Sequence, residues 1–315
     1  MEIISIDPPE LGFYGKQLDV HGTLVKAHAS VDDAAVSEAG RRIELLICSA
    51  PGVAFNLASA GAELHIIHRK HQVTDLPMYR HMKGVPFKDG KTMDQRARGY
   101  GGLHSCCSED SVLGLASARH SDHRDICSHE FAHTVLRYGL DTDLHSQVAK
   151  RYATARPLWR SAYASTNVDE FFAELTMWYV GSRGDYTSLR APAPGRRWLR
   201  EHDPDSFALL DAIYSGRLEP RRIQWKHLQP SGVARSTASD QAVSLLFVNE
   251  TAGPIERFWL NYSGNRKGYG QIPAGSVSSQ STYATHAWLV VSDDGREFGP
   301  FVAGAATHGI VRIVT

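Results

Sequence analysis

Residues 129–133 read His-Glu-Phe-Ala-His. An α-helix turns about 100° per residue, so His129 and His133, one turn apart, share a face. Two imidazoles at that spacing can hold one Zn²⁺, and Glu130 beside them can take a proton from water that the metal activates. A catalytic zinc needs a third protein ligand. Asn167-Val-Asp-Glu-Phe-Phe-Ala-Glu174 offers one. On a helix Glu170 and Glu174 share a face, and the two phenylalanines between them imply a well-buried segment, where unpaired carboxylates are costly. One carboxylate can bind metal while the one a turn later orients a ligating histidine. The competing structural readings are an amphipathic helix with two surface histidines and a solvated acidic face.

The flanks must supply the elements that hold these residues. Residues 125–138 contain no Gly or Pro, Phe131, Val135 and Leu136 form an apolar stripe, and Gly139 offers a C-terminal stop. Thr166 followed by Asp169 is a capping-box pattern, which predicts a helix from near Asn167 to Gly181 that buries Phe171, Leu175 and Trp178. A further helix is expected over residues 143–155, ended by Pro157. Upstream, Ser30-Val-Asp-Asp33 predicts a capped helix start before the stripe Ala35, Ala39, Ile43 and Leu46, and residues 64–67 read as a strand. Residues 69–104 are polar, basic and glycine-rich. A connection this long is often functional, and its glycines permit close backbone approach, so it either borders the substrate cleft or is a floppy surface loop.

Composition bounds the answer from the other side. The chain has 315 residues, 34 basic and 34 acidic side chains and 42% hydrophobic residues, as a globular protein of one large or two ordinary domains has. With no net charge, nothing points to nucleic acid or a membrane surface as partner. No apolar run approaches the length of a transmembrane helix, and the start lacks the basic and apolar regions of a signal peptide. The expectation is a chain that works in the cytoplasm, leaves by a non-classical route, or begins after processing. Cys48, Cys106, Cys107 and Cys127 have no paired zinc-site spacing. Free thiols are the expected state, with one disulfide among the last three the alternative in an oxidising compartment. The groups His65, His68, His71 and His120, His123 come without an evident further metal ligand and read as structural or solvated.

The pair of motifs, His129-Glu-Phe-Ala-His133 and Tyr163 followed seven residues later by Glu170-Phe-Phe-Ala-Glu174, resembles the catalytic domain of anthrax toxin lethal factor and its relatives, which include bacterial endopeptidases that cut between prolines. The resemblance spans about residues 10–225. It implies one catalytic Zn²⁺ held by His129, His133 and Glu170, Glu130 as general base, Tyr163 as donor to the oxyanion, and Glu174 behind a ligand.

After a polar, small-residue stretch at 229–241 that reads as a linker, the chain becomes β-rich, with strands expected at 245–248, 258–262 and 288–291 and a turn at Asp293-Asp294-Gly295. Phe258-Trp-Leu-Asn-Tyr-Ser-Gly264, Tyr269 and Tyr283-Ala-Thr-His-Ala-Trp-Leu289 resemble the β domain of the von Hippel-Lindau protein, over about residues 242–303. That family binds 4-hydroxyproline in an aromatic pocket, and the matching positions are Trp259, Tyr269, Thr282, His286 and Trp288; Thr282 stands where the family has serine. Aromatic faces pack on a proline ring, and a histidine and a hydroxyl can meet the ring's OH. The same residues can instead be the core of a small sandwich.

The expected fold class is α+β: a mainly helical zincin-type metallopeptidase domain with a small sheet over 1–228, a linker over 229–241, and an all-β sandwich over 242–315. The expected activity is zinc-dependent hydrolysis of a protein or peptide substrate, proline- or hydroxyproline-rich in the reading that uses both halves. Two other readings share these residues: a binding protein whose zinc domain is a scaffold, and a zinc hydrolase of a non-peptide bond.

Overall fold

The computed structural model describes residues 1–115, 117–118, 124–160, 162–181, 195–305 and 308–314. They form two compact units, Met1–Val73 with Ala97–Ile223, and Thr74–Arg96 with Gln224–Thr315. The class is α+β, with helices and one sheet in the first unit and two sheets in the second. Among the described residues no helix is long and apolar enough to cross a membrane.

In the first unit, β1 (Ile3–Glu10), β2 (Tyr14–Val20), β3 (Thr23–His28), β4 (Glu63–Ile67) and β5 (His104–Ser108) form one sheet in that order. The first three are antiparallel; β3–β4 and β4–β5 are parallel. A parallel step needs a crossover, and α1 (Asp33–Ile47) and α2 (Pro51–Ala60) supply the one from β3 to β4. The stripe Ala35, Ala39, Ile43 and Leu46 is buried as its period predicts. The cap differs from the expectation: Asp32 accepts from the Ala34 amide at 2.9 Å, while Ser30 pairs with His28. Gly40 lets α1 lie close on the sheet, since a Cβ there would stand 2.5 Å from Leu18.

The helix of the histidine pair, α3 (Ile126–Thr134), is shorter than expected, and Val135–Gly139 continues it as a π-turn. Gly139 does end this stretch, but not through a left-handed turn. A Cβ there would meet Val53 of α2 at 2.9 Å, so close packing is what asks for glycine. α4 (Thr142–Ala155) follows, capped by Asp141. In α5 (Val168–Tyr179) the cap is Asn167 rather than Thr166: its side chain accepts from the Glu170 amide at 2.9 Å. α6 (Arg196–His202) and α7 (Pro204–Tyr214) complete the unit. Trp159 stacks on Trp178 at 5.2 Å and donates its indole N–H to Asp203 at 2.9 Å. Buried Asn56 on α2 donates to the carbonyls of Gly139 and Arg221 and accepts from the Ile223 amide, which ties the end of this unit to its core.

The second unit has β6 (Lys226–His227), β7 (Ala242–Asn249), β8 (Ile255–Leu260), β9 (Arg266–Ile272), β10 (Val277–Tyr283), β11 (Ala287–Ser292), β12 (Glu297–Val302) and β13 (His308–Ile313). They form two four-stranded sheets, β10-β7-β13-β6 and β12-β11-β8-β9. Leu245, Phe247, Ile255, Trp288, Val290 and Val311 lie in the core between them. Residues 258–260 fall in β8 as expected, whereas Asn261 and Tyr262 lie in the turn after it. The stretch 229–241 is fastened along this unit: Ser231 donates its amide to Pro300, and buried Ser236 hydrogen-bonds to Leu260 and accepts from the Ala287 amide. Residues 74–96, from the connection between β4 and β5, belong here too. Ser276 donates to the Met78 carbonyl at 2.9 Å, and Gly275 leaves room for Pro77.

Candidate functional site

α3 presents His129, Glu130 and His133, all buried. Its first turn is set by Asp125, which accepts from the amide and hydroxyl of Ser128 at 3.1 and 2.8 Å and pairs with Arg42 of α1. The two imidazole centroids are 5.0 Å apart. α5 packs against α3 and brings Glu170 and Glu174 to the pair. One oxygen of Glu170, Oε2, lies 3.2 Å from Nε2 of His129 and 3.5 Å from Nε2 of His133. Glu174, buried, places Oε1 2.9 Å from Nδ1 of His129, on the far side of that ring. Three donor atoms thus converge, and a fourth group braces the first histidine from behind.

Tyr163 lies in a short 3-10 turn, Tyr163–Ser165, before α5. Its ring centroid is 6.5 Å from that of His129, its hydroxyl hydrogen-bonds to Glu170, and it is 39% exposed. All six residues singled out in the sequence around this site therefore meet. Glu130 and the two histidines can also bring ligand atoms within 4.8 Å of one another. Glu170 is the better third donor, because a single oxygen of it faces both Nε2 atoms.

The electrostatics favour a cation here. Burial lowers the His129 pKa, but Glu170 and Glu174 outweigh it and the net effect is a rise to about 10. Burial likewise opposes ionisation of Glu170, yet the two histidines hold its carboxyl far below the usual range. Both oxygens of Glu174 are buried without a hydrogen bond of good geometry. Two imidazoles and a carboxylate are a donor set suited to Zn²⁺, so these residues fit that ion. Burial pushes the Glu130 carboxyl up, against the pull of the histidines. Burial and the charge of Glu170 push the Tyr163 hydroxyl up, which keeps its proton in place.

Sequence reasoning expects the glycines of residues 69–104 to allow a close approach but does not say which residues they meet; the structure sets the 97–103 end against Glu130 and His133. Tyr100 pairs with Cys106 of β5 in an antiparallel bridge. A Cβ on Gly99 would stand 3.0 Å from Oε1 of Glu130, and one on Gly101 would stand 2.5 Å from Cβ of His133. Thr134 donates to the Gly102 carbonyl at 2.6 Å. The glycine content of this stretch was the signal. Its assignment to the histidine helix needed the fold. The four cysteines are free, three of them buried. His120 and His123 lie outside the described residues.

In the second unit the five residues expected to line a pocket lie near one another. Trp259 on β8 and Trp288 on β11 are register partners. Trp288 donates its indole N–H to Thr282 at 3.3 Å, and Thr282 Oγ1 is 3.1 Å from Nδ1 of His286. The Trp259 and His286 centroids are 5.1 Å apart, and Tyr269 meets Trp288 edge-on at 5.0 Å. Burial lowers the His286 pKa, which favours a neutral imidazole. Trp288, 2% exposed, is at the same time a core residue, whereas Tyr269 is 37% exposed. The Trp259 indole nitrogen is buried without a hydrogen-bond partner. Tyr262, not singled out from sequence, brings its hydroxyl within 3.4 Å of Nε2 of His286.

Comparison with known proteins gives three findings. The family model of the VHL beta domain matches residues 234–298. No curated protein matches the chain. Among solved structures, the PRO-PRO endopeptidase PPEP-2 from Paenibacillus alvei is similar with a TM-score of 0.44 and 17% identity, over 60% of this chain and 97% of that one.

Proposed function

We propose that the first unit is a zinc endopeptidase and that the β-sandwich holds a proline- or 4-hydroxyproline-containing segment of its peptide substrate. The observation that carries the reading is the single Glu170 oxygen facing Nε2 of both His129 and His133, with Glu174 behind His129. His129, His133 and Glu170 would hold the ion. Zinc, when bound, supplies Lewis acidity to a carbonyl and lowers the pKa of water. Glu130 is the general base that takes a proton from the attacking water and passes it to the leaving amine. Tyr163, with its proton held, donates to the carbonyl oxygen as negative charge develops there. In the sandwich, Trp259 and Tyr269 offer ring faces to a pyrrolidine, with buried Trp288 packed against Tyr269, and Thr282 and His286 offer polar atoms to its hydroxyl. Such a pocket disfavours plain proline, because its polar groups would then lose a partner.

The test is cleavage profiling on a peptide library that contains proline and 4-hydroxyproline, with wild type beside Glu130→Ala. Cuts present in wild type, absent in the variant and stopped by chelator are expected. A zinc-loaded wild type that cuts nothing would sink the endopeptidase reading. The pocket is tested apart: unchanged affinity of His286→Ala for hydroxyproline peptides would remove it and leave the peptidase reading standing.

A further inference from the structure

On β4, Glu63 and His65 alternate with the core residues Leu64 and Ile66, so they face the other side of the sheet, yet they too are buried. The parallel register sets His104 of β5 directly opposite Glu63. We propose that Glu63, His65 and His104 form a second metal-ion site, separate from the histidine pair of α3 and suited to a borderline divalent cation such as Zn²⁺.

Ligand atoms of the three residues lie within 4.8 Å of one another. The His65 and His104 ring centroids are 5.4 Å apart. The outer contacts have the form that metal ligands use. Nδ1 of His65 is 2.9 Å from the Tyr14 hydroxyl, which sets the ring so that Nε2 points at Glu63, 2.8 Å from its Oε2. The other oxygen of Glu63, Oε1, accepts from Lys26 at 2.8 Å, and Lys26 is shared with Glu10 at 2.8 Å. Oε2 of Glu63, Nε2 of His65 and a ring nitrogen of His104 are then the donors, two imidazoles and one carboxylate.

Lys26 sets the strength of the site. Its ammonium already balances part of the Glu63 charge, and a dication would have to displace the contact between His65 and Glu63. The site is therefore weaker than that of α3 and exchanges faster. Its consequence is mechanical: an ion there would fasten β5 to β4 at His104, just after the 97–103 segment that lies against Glu130 and His133.

Zinc stoichiometry on the full chain tests the proposal, by equilibrium dialysis at micromolar Zn²⁺ followed by elemental analysis. Wild type is expected to bind two ions, His104→Gln one, and a folded His129→Ala/His133→Ala chain one. Adding His104→Gln to that last chain should leave none. A His129→Ala/His133→Ala chain that binds no zinc overturns the proposal, as does one whose remaining ion is indifferent to His104→Gln. Should the double-alanine chain fail to fold, the wild-type count decides: two ions falling to one in His104→Gln support the site. One ion in both makes Glu63, His65 and Lys26 a structural ion-pair network only.

Discussion

Three glutamates surround the histidine pair of α3 and touch it in different ways, so substitution separates them. Glu130 is the next residue after His129 and is not among the proposed ligands. Glu130→Ala is expected to keep zinc and to lose roughly 10²–10⁴-fold in cleavage rate. Glu170 faces both Nε2 atoms, so Glu170→Ala is expected to lose metal and activity together. Glu174 faces Nδ1 of His129, on the side of the ring away from the proposed ion, so Glu174→Gln should weaken zinc binding about 10–100-fold and leave the site loadable at high zinc. Metal content after dialysis, read beside the cleavage rate, distinguishes the three. Full zinc occupancy in Glu170→Ala would place the third ligand elsewhere.

At the scale of elements, the site is the meeting of α3 and α5 under the 97–103 segment. α5 is aimed by its cap on Asn167 and by a buried face of Phe171, Phe172, Leu175 and Trp178. That leaves its carboxylate face to α3. The segment comes close because Gly99 and Gly101 have no side chains. In Gly101→Ala the new methyl would stand 2.5 Å from Cβ of His133, so either the segment or the helix must move. We expect weaker zinc binding and a lower rate from a folded protein, seen as a shifted zinc titration with an unchanged circular dichroism spectrum. Wild-type behaviour of this variant would mean that the segment yields without cost.

At the scale of the whole molecule, stability against acid can be read from Asp203. Burial opposes its charge, but Ser206, the Trp159 indole and Arg151 hold its carboxyl below the usual aspartate range. A depressed folded pKa stabilises the protein above the unfolded value of about 3.9, and this contribution is lost as pH falls through the folded pKa. Denaturation midpoints should therefore drop as pH is lowered below about 4, and Asp203→Asn should be less stable than wild type at neutral pH with a flatter acid limb. The division into units makes a second prediction. Residues 74–96 take their partners from the sandwich, among them Ser276 and Gly275, although they lie between β4 and β5 in sequence. A fragment ending at residue 223 leaves them without those partners, so limited proteolysis should cut it first within 74–96. Protection there equal to the full chain would show that the segment holds itself.

Much of this was legible without coordinates because it is local. The histidine pair, Glu170 with Glu174, and the stripe of α1 follow from helical period alone, which acts over a turn or two of chain. Trp259, Tyr269, Thr282, His286 and Trp288 were readable only through the resemblance to the VHL β domain; that Trp259 and Trp288 are register partners is something the structure adds. Cap positions were misplaced by one or two residues at Ser30 and Thr166, since several polar side chains in a row can satisfy the same amides and only packing chooses among them. What the tertiary structure alone decided is non-local. It set Gly99 and Gly101 against Glu130 and His133, and gave residues 74–96 to the second unit. It also placed His104 across from Glu63, although about forty residues separate them. No period in the sequence records which strand a strand will pair with; that choice belongs to the free energy of the assembled sheet and its core.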